Sequence, residues 1–550
     1  MPALDPRGAD ARRIHRKVVA FLSTPGAYPH SPRKVDVVQT HASLVFLAGR
    51  YVYKTKKPVD FGFLDFSTLA RRRRFCEREV ELNRRLAPDV YLDVVAIRRT
   101  GRALSINGEG DPVEYAVRMR RLSAAGFASH RIARGLLGAP DIDRIAKRLA
   151  RFYAEESVRS GGRVRDRQRR SIDDNLALIR RHAADETVRS RIAALAAFTR
   201  AFYRAQAKRL ARRRREKRIL DCHGDLRLEH VHLDGPHVRI YDCIEFNERL
   251  RAIDIANDVA FLAMDLDYEG RPDLARRFVS AIARAMHDRG IEQLQDFYKC
   301  YRAAVRYKVE CLRAAEREVG ADERRASAER AERFLRLALR YATLGSRPTI
   351  VAVMGEVACG KSTLATGLAD ALGIELCSSD VTRKRLAGLP LHRRPSDAVR
   401  ARLYAPVMSR RVYGALSKAA ASAVHAERSV VLDATFARRA DRNDLRAFAR
   451  GIGAGVLFIE LATPAATRRR RLAARANAAS VSDARLSDFA ALAARYEAPT
   501  ELPAAMALRI HSRTTPAATL AAALLALAKK RGQTPFPPEK GSVPFFRASR

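Results

Sequence analysis

The feature that most constrains this chain is the octapeptide GEVACGKS at positions 355–362. It follows the apolar run TIVAVM at 349–354 and precedes a segment with a helical pattern, which is the context that G-x-x-x-x-G-K-[ST] requires. Gly355 and Gly360 allow backbone N–H groups to turn inward around phosphate oxygens, and the helix that follows presents its positive end. The sequence therefore predicts a P-loop in an α/β domain, where it binds the phosphates of ATP or GTP.

Three side chains of this domain are expected to contact the nucleotide phosphates or Mg²⁺. Lys361 is expected to reach the β- and γ-phosphates, and Ser362 to ligate Mg²⁺. Asp433 ends the apolar strand VVLD, where a Walker B carboxylate belongs, and is expected to hold Mg²⁺ directly or through water. The alternative for Asp433 is a strand-end carboxylate that caps a turn. The predicted nucleotide-binding residues of the loop are Gly355, Glu356, Val357, Ala358, Cys359, Gly360, Lys361, Ser362 and Thr363.

A D-x-x-R motif follows in the segment SSDVTRKRLAG at 378–388, just beyond the second strand of this domain. Its Asp380 and Arg383 are three residues apart, so they share one helix face. An Asp beside a phosphate site can take the proton of an acceptor hydroxyl, and an Arg can neutralise the transferred charge. Asp380, Arg383 and Lys361 are therefore predicted catalytic residues. The alternative for the pair is an N-cap Asp with a surface Arg.

Together the P-loop, the D-x-x-R motif and LDAT resemble the P-loop kinases of small molecules and polynucleotides, over about residues 348–530. Gluconate kinase, chloramphenicol phosphotransferase, the zeta toxins and polynucleotide 5′-kinase belong to this group. The resemblance implies that Asp380 is the base for the acceptor hydroxyl and that Arg383 contacts the substrate or the transferring phosphate. It also implies that the helix ATRRRRLAAR at 466–475 is a lid whose Arg471 and Arg475 close over ATP. A solvated basic face is the alternative for that helix.

A second candidate site lies upstream, in HGDLRLEHVHL at 223–233. A His-x-Asp on a loop between β-rich segments fits the kinase catalytic loop H-R-D-x-x-x-x-N, with Asp225 as the catalytic Asp. His230 stands at the metal-binding Asn position, although Mg²⁺ prefers oxygen ligands. Asp242, in IYDCIEF, stands where the DFG Asp holds Mg²⁺. The predicted metal ligands of this site are therefore Asp242 and His230.

The same template asks for a strand lysine paired with a helix glutamate that position the ATP phosphates. Lys54 in YVYKTK lies on a predicted strand, and Glu79 lies on the next predicted helix. Lys56 and Glu81 are the close alternatives. The motif H-G-D-L and the downstream segment RAIDIANDVAFL at 251–262 resemble those of aminoglycoside and choline phosphotransferases. This resemblance covers about residues 35–340.

The two resemblances together are those of a bacterial family that fuses an aminoglycoside phosphotransferase-like domain to a P-loop kinase domain. They imply an α+β, protein-kinase-like domain of two lobes followed by a three-layer α/β domain with a parallel sheet. GSRP at 345–348 is the predicted boundary. The predicted domains are 1–344 (small lobe about 35–122, large lobe about 123–344) and 345–530, with a disordered tail at 531–550.

A zinc cluster competes for the residues around the upstream motif. The spacings match no common zinc pattern, and most of these residues alternate on predicted strands, so structural roles are favoured. The candidates are Cys222, His223, His230, His232, His237 and Cys243.

Composition restricts location and partners. Seven scattered cysteines without a C-x-x-C pair favour a reducing compartment. No signal peptide is recognisable, and the most apolar segment, 517–528, is too short to span a bilayer, so a soluble, cytoplasmic protein without a membrane partner is expected. The net charge of +43 permits nucleic acid binding, but the basic runs are dispersed and lack interleaved aromatics, so nucleic acid is not the favoured partner. The oligomeric state stays open.

Three functions follow for comparison. The leading prediction is an enzyme that uses ATP and Mg²⁺ to phosphorylate a hydroxyl of a small molecule at the P-loop, while the N-terminal domain phosphorylates too or selects the substrate. The second is a nucleic-acid 5′-end kinase. The third is a nucleotide-dependent regulator that carries a pseudokinase domain, for which His230 is the main support.

Overall fold

The computed structural model describes residues 6–40, 42–62, 64–156, 162–181, 183, 185–316, 319–474 and 481–533. Contacts divide the chain into two compact units. The first contains Met1–Asp174 and Lys208–Lys299, and the second contains Asn175–Ala207 and Cys300–Arg550.

The first unit begins with an antiparallel sheet flanked by two helices. In β3, Val52 packs towards α2 and Tyr53 towards α1, because successive strand side chains point to opposite faces. The same alternation puts Lys54 and Lys56 on the α2 face. The strand order is β1-β2-β3-β6-β4-β5. The elements are α1 (Pro6–Leu22), β1 (Val35–Gln39), β2 (Ser43–Ala48), β3 (Tyr51–Lys56), α2 (Leu69–Asn83), β4 (Tyr91–Thr100), β5 (Ala103–Ile106) and β6 (Asp111–Arg120).

The chain continues through a mostly helical region interrupted by short strands. Two two-stranded sheets form here, β7 with β10 and β8 with β9, both antiparallel. Helix α9 is almost wholly buried, and its buried residues include the polar Asn257 and Asp258. The elements are α3 (Ala128–Ala133), α4 (Ala139–Glu155), α5 (Gly162–Arg181), α6 (Glu186–Ala205), α7 (Ala207–Arg215), β7 (Ile219–Asp221), β8 (Val231–Asp234), β9 (His237–Ile240), α8 (Glu248–Arg251), β10 (Ala252–Asp254), α9 (Ile255–Tyr268), α10 (Pro272–Ala285), α11 (Gly290–Gln293), α12 (Gln295–Ala315) and α13 (Ala321–Thr343).

The remaining elements build a parallel sheet between helices. The strand order is β12-β13-β11-β14-β15, and every neighbouring pair is parallel. Its central strands are apolar because both faces are covered. The elements are β11 (Thr349–Met354), α14 (Lys361–Leu372), β12 (Glu375–Ser378), α15 (Ser379–Leu386), α16 (Asp397–Leu403), α17 (Pro406–His425), β13 (Val430–Asp433), α18 (Arg439–Gly451), β14 (Gly455–Ala462), α19 (Ala465–Ala474), α20 (Phe489–Ala494), β15 (Ala507–His511) and α21 (Pro516–Gln533).

The predicted α+β and α/β classes are confirmed: one unit combines an antiparallel sheet with helices, and the other has a parallel sheet between helices. The units nevertheless divide the chain differently from the predicted boundary at 345–348. Helices α6 and α13 belong to the P-loop unit, where α21 packs on α6 and on α13. Helix α21 also continues to Gln533, into the segment predicted as a tail, while 534–550 lie outside the described residues. No helix among the described ranges has both the length and the apolar character needed to cross a membrane.

Candidate functional site

The P-loop is a tight turn between β11 and α14 whose backbone favours glycine. The φ angles of Gly355 and Gly360 are 145° and 99°, and Ala358 is also left-handed at 59°. A Cβ at Gly355 would lie 2.8 Å from the carbonyl oxygen of Leu461, so the loop approaches β14 too closely for any side chain there. Helix α14 starts at Lys361, which places its N-terminus and its positive dipole end directly after the loop.

Side chains of α19, and Thr463 just after β14, contact the P-loop. Arg471 Nη1 donates a hydrogen bond to the carbonyl oxygen of Cys359 at 2.7 Å, and Thr463 Oγ1 donates to the same oxygen at 2.9 Å. Arg468 Nη2 lies 2.8 Å from Glu356 Oε1. Arg471 therefore lies at the P-loop, where the sequence predicted a lid arginine, whereas Arg475 lies outside the described residues.

Asp433 lies at the carboxyl end of β13, between the ends of β12 and β11. Ser378 Oγ donates to its Oδ2 at 3.1 Å. Its Oδ1 is buried and has no hydrogen-bond partner among the residues that the structure describes. Burial raises the pKa of Asp433, while the charge of Lys361 and a hydrogen bond from Ser362 act in the opposite direction.

These oxygens are suited to a small divalent cation. Mg²⁺ prefers oxygen ligands and usually combines one or two protein groups with phosphates and water. The unpartnered carboxylate oxygen of Asp433 and the neighbouring hydroxyl of Ser362 supply such groups. The donor set at the P-loop therefore fits Mg²⁺.

The two residues of the D-x-x-R motif lie on α15 in different surroundings. Asp380 is half-buried, and its charge contributes to raising the pKa of Asp433, after the larger effect of burial. Arg383 is buried, donates from Nη1 to the carbonyl oxygen of Leu403 at 2.7 Å, and stacks 4.5 Å from the ring centre of Tyr404. Burial and then the charge of Asp380 raise the pKa of Tyr404, so the ring of Tyr404 lies near both residues of the motif.

In the first unit, the structure brings Lys54 and Glu79 together. Lys54 Nζ lies 2.9 Å from Glu79 Oε1 and 2.5 Å from Asp242 Oδ1. Burial lowers the pKa of Lys54, but Asp242 and Glu79 outweigh it and raise that pKa well above its usual value. The alternative Glu81 is exposed and pairs with Arg78 instead. The other alternative lysine is also at the site.

That lysine, Lys56, is buried and forms a second connection to the same glutamate. Its Nζ lies 2.7 Å from Glu79 Oε2 and also contacts Glu245 Oε1. Burial raises the pKa of Glu245. Burial lowers the pKa of Lys56, but Glu245 and Glu79 outweigh this effect, so the pKa of Lys56 is raised. Sequence reasoning missed Glu245. The available signal was its position three residues after Asp242, in the same segment IYDCIEF.

The catalytic-loop motif is held by a buried carboxylate of α9. Asp258 Oδ2 accepts from the backbone N–H of His223 at 3.0 Å, and Oδ1 accepts from that of Gly224 at 2.8 Å. Tyr153 donates its hydroxyl to the same side chain at 2.9 Å. Burial lowers the pKa of His223 to about 4, so this imidazole is neutral near pH 7. These contacts fix the turn that presents Asp225.

His230 occupies the predicted metal-ligand position. Its Nδ1 lies 2.8 Å from the carbonyl oxygen of Asp225, and its Nε2 lies 3.5 Å from Asp242 Oδ2. Asp242 has a left-handed φ of 63°. Burial raises the pKa of Asp242, but Lys54 and then His230 lower it far below its usual value. An imidazole nitrogen in place of an amide oxygen does not fit Mg²⁺.

Comparisons with known proteins found a family model, a relative and solved structures that are similar to this chain. A protein-family model described as "AAA domain" matches residues 350–499, which confirms the predicted P-loop domain. The chain is 33% identical over 465 residues to the uncharacterized protein Rv2004c of Mycobacterium tuberculosis (strain ATCC 25618 / H37Rv), covering 84% of this chain and 90% of the relative.

Two solved structures are each similar to part of the chain. A gluconokinase from Sinorhizobium meliloti 1021 is 21% identical and covers 33% of this chain and 93% of its own, with a TM-score of 0.25. A choline kinase from Cryptosporidium parvum Iowa II is 11% identical and covers 59% of this chain and 94% of its own, with a TM-score of 0.37. The identity and coverage of Rv2004c decide the family: the chain belongs to the same protein family as Rv2004c.

Proposed function

We propose that this protein is an ATP-dependent phosphotransferase whose P-loop unit transfers the γ-phosphate of ATP to a hydroxyl of a small molecule. The observation that carries the proposal is the buried Oδ1 of Asp433 beside the P-loop, which has no hydrogen-bond partner in the described part of the chain. A buried carboxylate oxygen without a partner is costly in a folded protein unless a cation or a donor completes it. A nucleotide-bound Mg²⁺ would complete it.

The roles of the chain's own residues follow from their positions. The P-loop N–H groups and Lys361 hold the β- and γ-phosphates, and Ser362 and Asp433 would hold Mg²⁺, which neutralises phosphate charge when bound. The acceptor oxygen forms a bond to the γ-phosphorus as the bond from that phosphorus to the β–γ bridging oxygen breaks, and ADP leaves. Asp380 takes the proton of the acceptor hydroxyl.

Arg383 and Arg471 have supporting roles in this proposal. Arg471 already contacts the Cys359 carbonyl of the P-loop, so it can orient the loop and approach the phosphates from α19. Arg383 is held by Leu403 and Tyr404, so it shapes the acceptor side of the site. A direct contact of Arg383 with the transferring phosphate requires its guanidinium to leave those partners.

The first unit supplies a second nucleotide site in this proposal. The support is that Lys54, Glu79 and Asp242 are in contact, since a lysine positioned by a glutamate and a metal-binding Asp is what kinase-like folds use to hold ATP phosphates. Asp225 would be its catalytic base. This unit then phosphorylates a second acceptor or selects the substrate.

The test is ATP-dependent phosphorylation of a panel of hydroxyl metabolites, together with a 5′-hydroxyl oligonucleotide. Lys361→Ala is expected to reduce the transfer rate by roughly 100-fold or more, because it removes a charge that stabilises the transferring phosphate. Lys418→Ala, which changes an exposed lysine of the same unit, is the matched control and should retain full activity.

Two outcomes would contradict the assignment. Activity that survives in Lys361→Ala but is lost in Asp225→Ala would move the main site to the first unit. Transfer to the oligonucleotide alone, with binding that weakens steeply with salt, would identify a nucleic-acid end kinase instead.

A further inference from the structure

The orientation of His230 is fixed by the backbone. Its Nδ1 lies 2.8 Å from the carbonyl oxygen of Asp225, and a carbonyl can only accept, so Nδ1 carries the hydrogen. In the neutral ring the lone pair is therefore on Nε2. Metal-ligating histidines have this arrangement, because they donate the second ring N–H to a carboxylate or a backbone carbonyl.

The other ring nitrogen of His230, Nε2, faces two acidic side chains but forms no close hydrogen bond within the described ranges. Nε2 lies 3.5 Å from Asp242 Oδ2 and 3.6 Å from Glu229 Oε1, beyond the usual range for N–H···O bonds. The His230 side chain is only 8% exposed. A lone pair that faces carboxylate oxygens is unfavourable unless the nitrogen is protonated or a cation lies between them.

Arg227 pairs with Glu229, so Asp242 is the carboxylate that remains for such a cation. Asp242 uses Oδ1 for Lys54, so Oδ2 remains on the side of His230. Two atoms that each lie about 2.1 Å from one metal at a right angle are about 3 Å apart. The separation of 3.5 Å between His230 Nε2 and Asp242 Oδ2 is close to that value and needs only a small side-chain adjustment.

We propose that His230 Nε2 and Asp242 Oδ2 bind a divalent first-row transition metal, such as Mn²⁺, in preference to Mg²⁺, with a nucleotide's phosphates completing the coordination. The kinase template has an amide oxygen at this position, and the imidazole changes the ligand chemistry from one suited to Mg²⁺ to one that first-row transition metals accept. The proposal rests on the nucleotide site proposed for the first unit. It makes the two nucleotide sites of the chain different in metal preference.

The test detects the nitrogen ligand directly. The full-length Lys361→Ala protein, in which the P-loop site is disabled, is loaded with one equivalent of Mn²⁺ and ADP. Pulsed electron paramagnetic resonance then measures ¹⁴N coupling from a coordinated imidazole. The same host carries His230→Asn, which restores an amide oxygen, and His237→Asn, which changes an exposed histidine of β9 as the matched control.

The expected result is ¹⁴N coupling in the host and in the His237→Asn protein, and its loss in the His230→Asn protein. The ratio of the Mg²⁺ and Mn²⁺ dissociation constants, measured by competition, is expected to fall by roughly tenfold in His230→Asn. The spectrum of the host decides the question even if His230→Asn fails to fold.

Two results would overturn the proposal, and they differ in what else they overturn. Stoichiometric Mn²⁺–ADP binding without ¹⁴N coupling would show an all-oxygen site and would leave the proposed nucleotide site intact. Absence of any ADP binding in the Lys361→Ala host would overturn the nucleotide site of the first unit and the metal proposal with it.

Discussion

Two lysines of β3 share one buried glutamate in the kinase-like unit. Lys54 and Lys56 are two residues apart, so they point to the same face of the strand and both reach Glu79. Each lysine has a second carboxylate partner, Asp242 for Lys54 and Glu245 for Lys56. The group therefore contains two positive and three negative side chains, and this excess of negative charge favours binding of a further cation.

We expect Glu79→Gln to loosen this group. Each lysine keeps its second carboxylate, so the expected loss is about 2 kcal/mol, the value of a buried hydrogen bond to a charged group, and not the cost of a fully unpaired buried charge. Hydrogen exchange of the α2 amides, followed by mass spectrometry, measures the local free energy of opening. The control is Glu81→Gln, an exposed residue of the same helix, which should leave exchange unchanged. Equal exchange in both variants would contradict the structural importance of Glu79.

At the scale of residues, the sequence predicted the site residues that follow a known order of motifs along the chain. The spacing of Lys54, Glu79, Asp225 and Asp242 along the chain follows the kinase template, and the structure brings Lys54, Glu79 and Asp242 into contact. The sequence could not predict that Lys56 is buried with Glu245, because that contact joins segments far apart along the chain and no local pattern specifies it.

At the scale of elements, apolar runs were the reliable signal. The predicted strands at 350–354, 429–436 and 455–461 correspond to β11, β13 and β14, since parallel strands buried on both faces are continuous apolar runs. No strand is predicted from the sequence at the three-residue strand β10. Its pairing with β7 depends on a partner distant in sequence, so its own residues carry no strand signal.

The turn from β11 into α14 is the element most sensitive to a single methyl group. Gly355→Ala would place a Cβ 2.8 Å from the Leu461 carbonyl oxygen at a φ of 145°, and we expect it to cost about 2 kcal/mol in the stability of this unit. Gly414→Ala, in the exposed face of α17 with nothing within 4 Å of the added atom, should instead stabilise by up to about 1 kcal/mol. Differential scanning calorimetry of both variants compares the Tm values. A Tm for Gly355→Ala equal to that of the unmodified protein would show that the loop relaxes freely.

At the scale of the whole molecule, sequence order and compact units differ. Helix α6 precedes the catalytic-loop motif of the kinase-like unit, yet it packs with α21 in the P-loop unit. A Cβ at Gly532 would lie 2.7 Å from Ala201 Cβ, so the two helices are in close contact there. Sequence reasoning placed the boundary at the turn-rich GSRP segment because helix periodicity shows which face is buried but not which distant helix covers it.

The two proposed nucleotide sites predict two nucleotides per chain. Equilibrium dialysis with a non-hydrolysable ATP analogue, in buffer containing both Mg²⁺ and Mn²⁺, should give a stoichiometry of about two, because each site has its own phosphate-binding lysine. Lys361→Ala and Lys54→Ala should each leave one nucleotide, and the double variant none. Lys34→Ala, which changes an exposed lysine of the first unit, is the control and should retain both. The unmodified protein could instead bind a single nucleotide that is lost in Lys361→Ala and retained in Lys54→Ala. That result would show that the contacts of Lys54 with Glu79 have only a structural role. If the stoichiometry is two, the Lys54→Ala protein isolates the P-loop site, and its metal preference can be compared with that of the site containing His230.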